Sequence, residues 1–163
     1  MRIATIELHK EGLGFSAGHF TIFSATEREH LHGHNYCVNV SFRIMIKENG
    51  MAFDYRYYKT KIQALCTMLD RHFLLPAQSP YLILEDRGEN WIAHFHTEQI
   101  PFLKKDVVIL PIVNITIEEL SYWFLNELLR VPKELDANAI QGIRVRVFNG
   151  PEQSGSSEWI KSD

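Results

Sequence analysis

The sequence predicts an α+β fold, an antiparallel four-stranded sheet with two helices between its strand pairs and an inserted hairpin. Three observations predict it. Alternating, extended segments gather toward the two ends of the chain, between Arg2 and Ile46 and again after Pro132. Two stretches with helical spacing of apolar residues separate those groups, one after Asp54 and one after Thr116. Between the helices, Tyr81 to Phe95 reads as two short strands turning at Arg87-Gly88.

Taken in order, Arg2 to His9 alternates loosely and Gly14 to Phe23 resumes after Gly12, which reads as a strand pair carrying His19 near the end of its second arm. The loop Ser24 to His30 is polar. Tyr36 to Ile46 alternates well enough to be a half-buried strand and closes on the turn signal Glu48-Asn49-Gly50. Asp54 is a candidate N-cap for a helix whose apolar positions are Tyr58, Ile62, Leu65 and Leu69. Thr116-Ile117-Glu118-Glu119 opens the second helix, which runs to about Leu129. Asp106 to Pro111 adds a short extended piece, Ile143 to Phe148 returns to strand, Asn149-Gly150-Pro151 turns, and Ser156 to Ile160 ends the pattern. No repeat or linker interrupts residues 1–163, so one domain is expected, with an insertion at about 79–111.

Composition narrows the function classes. A content of 45 % hydrophobic and 23 % charged residues is that of an ordinary soluble domain, and a net charge of −3 gives no basic footprint for nucleic acid or an anionic membrane. A local basic pocket for a phosphorylated substrate stays open. Cys37 and Cys66 do not form a disulfide framework, and Met1 to Glu7 lacks the apolar core of a signal peptide. A reduced, cytoplasmic protein is expected. No run of about eighteen apolar residues suggests a transmembrane helix.

The chemistry gathers around Leu31-His32-Gly33-His34-Asn35-Tyr36. On an extended strand His32 and His34 share a face, with Gly33 between them adding no bulk. They can hold one ion together. A catalytic zinc site needs three protein ligands and an open fourth position, and His19 sits where a preceding antiparallel strand brings it alongside. The alternative is a pair of solvated or packed histidines.

Phe15-Ser16-Ala17-Gly18-His19, Leu31 to Tyr36, Gly50-Met51-Ala52-Phe53-Asp54, Leu69-Asp70-Arg71-His72 and Thr116-Ile117-Glu118-Glu119-Leu120 together resemble the 6-pyruvoyl-tetrahydropterin synthase family. That family also includes the 6-carboxy-tetrahydropterin synthases of queuosine biosynthesis. The resemblance spans nearly the whole chain. It implies the tunnelling fold, in which subunits join their sheets into a barrel around a central tunnel, typically as homohexamers with active sites between subunits. Assembly of that kind would cover the exposed edges of a small sheet.

Three departures from the family pattern matter. Family synthases usually carry a catalytic cysteine a few residues before His-x-His, and here Ser24 to Leu31 has none, while Glu29 stands in the context Arg28-Glu29-His30-Leu31-His32. That context is similar to a folate-pathway variant known from malaria parasites, in which dihydroneopterin triphosphate is cleaved to 6-hydroxymethyl-dihydropterin. A solvated loop acid is the alternative reading of Glu29. Where the family has adjacent Asp-His, this chain has Asp70-Arg71-His72, and on a helix one residue of displacement turns the ring by about 100°. If the helix ends at Asp70, His72 can reach the site, oriented by Asp70; otherwise Arg71 occupies the position and cannot act as a base. Finally, the family's pterin-anchoring glutamate is replaced by Asn149, with Glu152 nearby as a substitute, and Thr116 matches a position lining the pterin pocket. The other role for Thr116 is that of a helix N-terminal residue, with Glu118 or Glu119 favourable to the helix dipole.

Weaker candidates read as structural. His94-Phe95-His96 has no third ligand in view, Cys37 has the wrong parity to join His32 and His34, Cys66 lies among core positions, and Tyr122, Trp123 and Phe124 pack. The expected activity is therefore a zinc-dependent lyase acting on the side chain of a dihydropterin triphosphate, with Glu29 as base, Asp70 and His72 as the opposing acid/base pair, and His19, His32 and His34 on the metal. Carbon-carbon cleavage to the hydroxymethyl product comes first, and the 6-carboxy or 6-pyruvoyl reaction second. A zinc-containing binding or assembly protein without pterin turnover is the alternative of another class.

Overall fold

A computed structural model describes residues 2–9 and 12–162. The strands are β1 (Arg2–Leu8), β2 (Gly14–His19), β3 (His32–Ile46), β4 (His72–Pro76), β5 (Leu82–Arg87), β6 (Asn90–Phe95), β7 (Glu98–Leu103), β8 (Val107–Leu110), β9 (Ile140–Phe148) and β10 (Ser154–Ile160). The helices are α1 (Arg56–Leu69), α2 (Ile117–Leu129) and α3 (Pro132–Ala137). The main sheet has seven strands in the order β10-β9-β3-β2-β4-β8, with β1 also paired to β3. The α+β architecture with two long helices between strand groups is as expected. The sheet is larger than four strands because β4 and β8 extend it by parallel pairing beside β2.

The first two strands do not pair with each other. β1 lies antiparallel to the second half of β3 and β2 to its first half, so the two stand end to end along one edge of a long strand. That arrangement explains why β3 begins at His32, four residues before the expected Tyr36: pairing with β2 carries it through the histidines. β2 stops at His19, short of Phe23, because the chain leaves the ladder there to form the loop that returns to β3.

Even-numbered β3 residues Val38, Val40, Phe42 and Ile44 are fully buried and meet Ile143, Val145 and Val147 of β9. Ile62, Cys66 and Leu69 of α1 and Leu120, Phe124 and Leu128 of α2 cover that face. α2 starts where the sequence put it, and Thr116 caps it by accepting the Glu119 N–H. Asp54 is not the cap of α1. Tyr55 holds that position, and the Asp54 carboxylate bonds the Arg56 backbone and guanidinium instead. The short α3 escaped prediction, since Pro132 at its start reads equally well as a turn.

The predicted hairpin forms at Arg87–Asn90, but it carries a third strand, β7, and becomes a three-stranded antiparallel sheet. Its inner face makes a second apolar core from Phe20, Ile22, Leu75, Leu82, Ala93 and Phe95. The extended piece near the end of the insertion is β8, a member of the main sheet. The chain around residues 19–32 therefore runs along the seam between two cores.

Candidate active site

His19 ends β2 directly opposite His32 on β3, and Ala17 stands opposite His34, so the antiparallel register brings three imidazoles together. Their ring centroids are 4.5, 5.1 and 4.8 Å apart, and one nitrogen from each lies within 4.8 Å of the other two. Gly33 and Gly18 pass where a side chain would not fit. A Cβ on Gly33 would meet the Ala17 carbonyl oxygen at 2.9 Å, and one on Gly18, its cross-strand partner, would strike the Phe73 ring at 2.5 Å. Beneath the triad, Tyr36 lies 5.7 Å from His34 and stacks on Phe15. Burial pushes the Tyr36 hydroxyl far above its usual range, keeping it neutral.

The tautomers follow from hydrogen bonds. His19 Nδ1 is 2.9 Å from the Ile115 carbonyl and His32 Nδ1 is 2.7 Å from the His30 carbonyl, so both Nδ1 atoms carry protons and donate them. Both Nε2 lone pairs then face inward. His19 Nε2 is buried with no hydrogen-bond partner, and His32 Nε2 lies 3.0 Å from His34 Nε2. Two ligands on a tetrahedral ion are about 3.3 Å apart, and backbone carbonyls are the usual partners of the far nitrogens of metal-bound imidazoles. These residues fit a zinc ion. Burial pulls the protonation of His19 and of His34 below the ordinary histidine value, which favours the neutral rings a metal needs.

Glu29 stands beside this triad, as the sequence suggested. Its Oε2 accepts the Thr21 N–H at 2.9 Å and lies 3.9 Å from His32 Nε2. Burial raises its pKa, but hydrogen bonding from Thr21 and the nearby His19 and His32 outweigh that, and the carboxyl sits below its usual value. It is ionised at neutral pH. Thr21 and the Ile115 carbonyl were not legible as site residues, because a main-chain donor and a main-chain acceptor leave no side-chain signature. Asn114 supports both: its Oδ1 accepts from the N–H groups of Ile22 and Ile115, and its Nδ2 donates to the Ile22 carbonyl.

The backbone around Asp70-Arg71-His72 leaves the helix before His72. α1 ends at Leu69, Asp70 is extended, and Arg71 adopts φ 61° before β4 begins at His72. This left-handed step leaves Arg71 88 % exposed with its Nε 3.4 Å from Asp70 Oδ2, and Arg71 and His72 both line an open groove of about 540 Å³ with Ser16, Gly18, His34, Asn35 and Asp106. The expected orientation of His72 by the Asp70 carboxylate is not what occurs. That carboxylate accepts the Ser16 N–H at 2.8 Å, and it is the Asp70 main-chain carbonyl, 2.8 Å from His72 Nδ1, that orients the ring.

The expected substrate-binding residues lie elsewhere. Asn149 lines a second groove with Asn35, Cys37, Asn39 and Phe148, which shares Gly33, His34 and Asn35 with the His72 groove. Glu152 is exposed in the turn before β10. The Thr116 hydroxyl is engaged in capping α2, although its neighbour Ile115 orients His19. His72 and Asn149 thus line grooves that meet at Gly33, His34 and Asn35, and Glu29 lines neither of them.

The sequence model of 6-pyruvoyl tetrahydropterin synthase matches residues 7–158. The chain belongs to that family. It is similar to a proposed 6-carboxy-5,6,7,8-tetrahydropterin synthase of Methanocaldococcus jannaschii, with 27 % identity over 140 residues, 85 % of each chain. The 6-pyruvoyltetrahydropterin synthase of Plasmodium vivax shares the fold closely, at 29 % identity and a TM-score of 0.93, covering 99 % of this chain and 100 % of that one. A variant of that enzyme, in which a glutamate described as a catalytic residue is replaced by alanine, matches with 28 % identity, the same TM-score and the same coverage. The fold is the tunnelling fold of the tetrahydropterin synthases, and the chain is a lyase-type enzyme of that group. No helix of the described residues is long and apolar enough to cross a membrane.

Proposed function

We propose that this tetrahydropterin synthase-type enzyme is a zinc-dependent lyase that cleaves the side chain of 7,8-dihydroneopterin triphosphate to 6-hydroxymethyl-7,8-dihydropterin. The observation that carries the reading is the Glu29 carboxylate, held 3.9 Å from His32 Nε2 where a cysteine would serve in other family members. The catalytic glutamate of the Plasmodium vivax enzyme supports it.

His19, His32 and His34 would hold the ion, which when bound lowers the pKa of a side-chain hydroxyl. Glu29, ionised and fixed by Thr21, takes the proton from the hydroxyl on the second side-chain carbon. The bond between the first and second carbons then breaks, its electron pair passing into the electron-poor pterin ring, and the second carbon leaves as an aldehyde bearing the triphosphate. A proton returned to the first carbon completes the hydroxymethyl group. His72 is placed for that delivery, since its Nδ1–H is tied to the Asp70 carbonyl and Nε2 is its exchanging atom. No oxidant is required.

Asn149 accepts one hydrogen bond from a pterin without charge assistance, and Glu152 is the acid nearest to it in sequence. Because Glu29 lines neither the His72 groove nor the Asn149 groove, a second copy is proposed to complete the pocket, in a homohexamer or other homo-oligomer. The 6-carboxy reaction is the second reading, favoured by the Methanocaldococcus jannaschii relative.

Incubation of the zinc-loaded chain with 7,8-dihydroneopterin triphosphate should release 6-hydroxymethyl-7,8-dihydropterin. Glu29→Gln should slow this about a hundredfold or more at unchanged zinc content. Formation of a 6-carboxy or 6-pyruvoyl product would decide for the second reading, and no consumption of any dihydropterin triphosphate would favour a zinc protein without pterin turnover.

A further inference from the structure

The β5–β7 sheet, to which the proposed reaction gives no role, is bonded to the loop that carries Glu29. Arg28 makes the link. Its Nε donates to Glu98 Oε2 on β7 at 2.6 Å, and its Nη1 donates to the Glu29 main-chain carbonyl at 2.7 Å. The guanidinium lies 5.3 Å from the Phe20 ring and 6.0 Å from the Phe95 ring, both members of the second core. Only 15 % of the Arg28 side chain is exposed.

An exposed ion pair would hold little, but a covered guanidinium with a rigid fork, set between aromatic rings, fixes the geometry of what it bonds. The base of the loop is closed on its other side by the Ile22–Arg28 bridge and by two bonds between Thr21 and Glu29: Glu29 N–H to the Thr21 carbonyl, and Thr21 N–H to Glu29 Oε2, both 2.9 Å. Glu29 is thus gripped through its own carbonyl, amide and carboxylate. One of these three grips reaches the inserted sheet through a single side chain.

We infer that the β5–β7 sheet clamps the Glu29 loop, with Arg28, anchored by Glu98, acting as a positioning residue for the Glu29 carboxylate. The consequence for rate rests on Glu29 being the proton acceptor, whereas the clamp itself rests on the hydrogen bonds alone. A placement error of about 1 Å at a reacting group costs up to about a hundredfold in rate, so a weak grip at this distance has a measurable effect.

The test uses the zinc-loaded full chain with Glu98→Gln, Arg28→Gln and Arg28→Lys, read by amide hydrogen exchange and by steady-state kinetics. Glu98→Gln removes the charge assistance from a half-exposed position and keeps the test available if Arg28→Gln does not fold. Amide exchange at Thr21 and Glu29 should accelerate at least about threefold in Glu98→Gln, with Val38 and Val40 unchanged. With KM and zinc content unaltered, kcat should fall about threefold in Glu98→Gln and about tenfold or more in Arg28→Gln, with Arg28→Lys in between and the double Gln variant no slower than Arg28→Gln. Unchanged exchange at Thr21 and Glu29 overturns the clamp. Faster exchange with unchanged kcat, while Glu29→Gln is inactive, overturns the positioning role. If Glu29→Gln keeps full activity, the base assignment fails, and the clamp then stands or falls on the exchange result.

Discussion

The Nε2 atoms of His32 and His34 lie 3.0 Å apart across Gly33, and the bond from His32 Nδ1 to the His30 carbonyl aims the His32 lone pair at its neighbour. Beside them the buried His19 Nε2 has no hydrogen-bond partner, and a cation among the three rings would engage it. The purified chain should hold about one zinc per subunit, and stripping it should lower the melting temperature. At a free zinc concentration a thousandfold above Kd the ion stabilises by about 4 kcal/mol. His32→Ala with His34→Ala should remove the metal. Full metal content in that double variant, measured by atomic emission, would end the triad assignment.

Self-association follows from the sheet edges. β10 is bonded on one side only, as are β1 and β8, and exposed apolar residues mark two of these strands, Ile3 at 53 % and Ile160 at 55 %. Such edges pair with something. Sedimentation should show an oligomer, most simply a multiple of three, and a charged substitution such as Ile160→Lys should weaken it. A monomer at micromolar concentration would defeat the shared pocket proposed for Asn149 and the triad.

The legible parts of this site are those with a local side-chain pattern. His32 and His34 at strand spacing and the helix start at Thr116 could be read directly, and Glu29 through its Arg-Glu context in the family resemblance; the structure brings the histidines together and puts Glu29 Oε2 3.9 Å from His32 Nε2. β4 could not be read, and β8 was read as an extended piece without its place in the main sheet, because His72 to Pro76 and Val107 to Leu110 are short apolar runs whose parallel partners are remote in sequence. The pairing of β1 with β3 rather than β2 was hidden for the same reason, since alternation reveals a strand but not its neighbour, whereas β2 beside β3 was anticipated from the place of His19. His72 depended on one backbone dihedral, at Arg71, that no periodicity encodes.

That dihedral can be tested apart from the arginine's charge. At φ 61° a β-branched residue is strained and glycine is not. Arg71→Val should cost about 1–2 kcal/mol in urea unfolding, whereas Arg71→Gly should be neutral or mildly stabilising, although both lose the same guanidinium. Equal stabilities for the two variants would show that the step before His72 is relaxed rather than strained.

The two cysteines give a last test of the claim that Glu29 replaces a thiol. Cys66 is 2 % exposed on the inner face of α1, and burial pushes its thiol up to about 12, so it stays protonated and inert at ordinary pH. Cys37 is partly exposed, but it lies on the odd-numbered face of β3, away from the side to which His32, His34 and Tyr36 belong, with its Sγ facing Asn39. Iodoacetamide at pH 8 should therefore label the native chain at Cys37 alone and reach Cys66 only in denaturant. Cys37→Ser should keep kcat within about threefold at unchanged zinc content, because Cys37 lines the Asn149 groove without belonging to the histidine triad, and serine keeps its size there. A hundredfold loss of kcat in Cys37→Ser at full zinc content would place the thiol in the reaction and demote Glu29 to a structural acid.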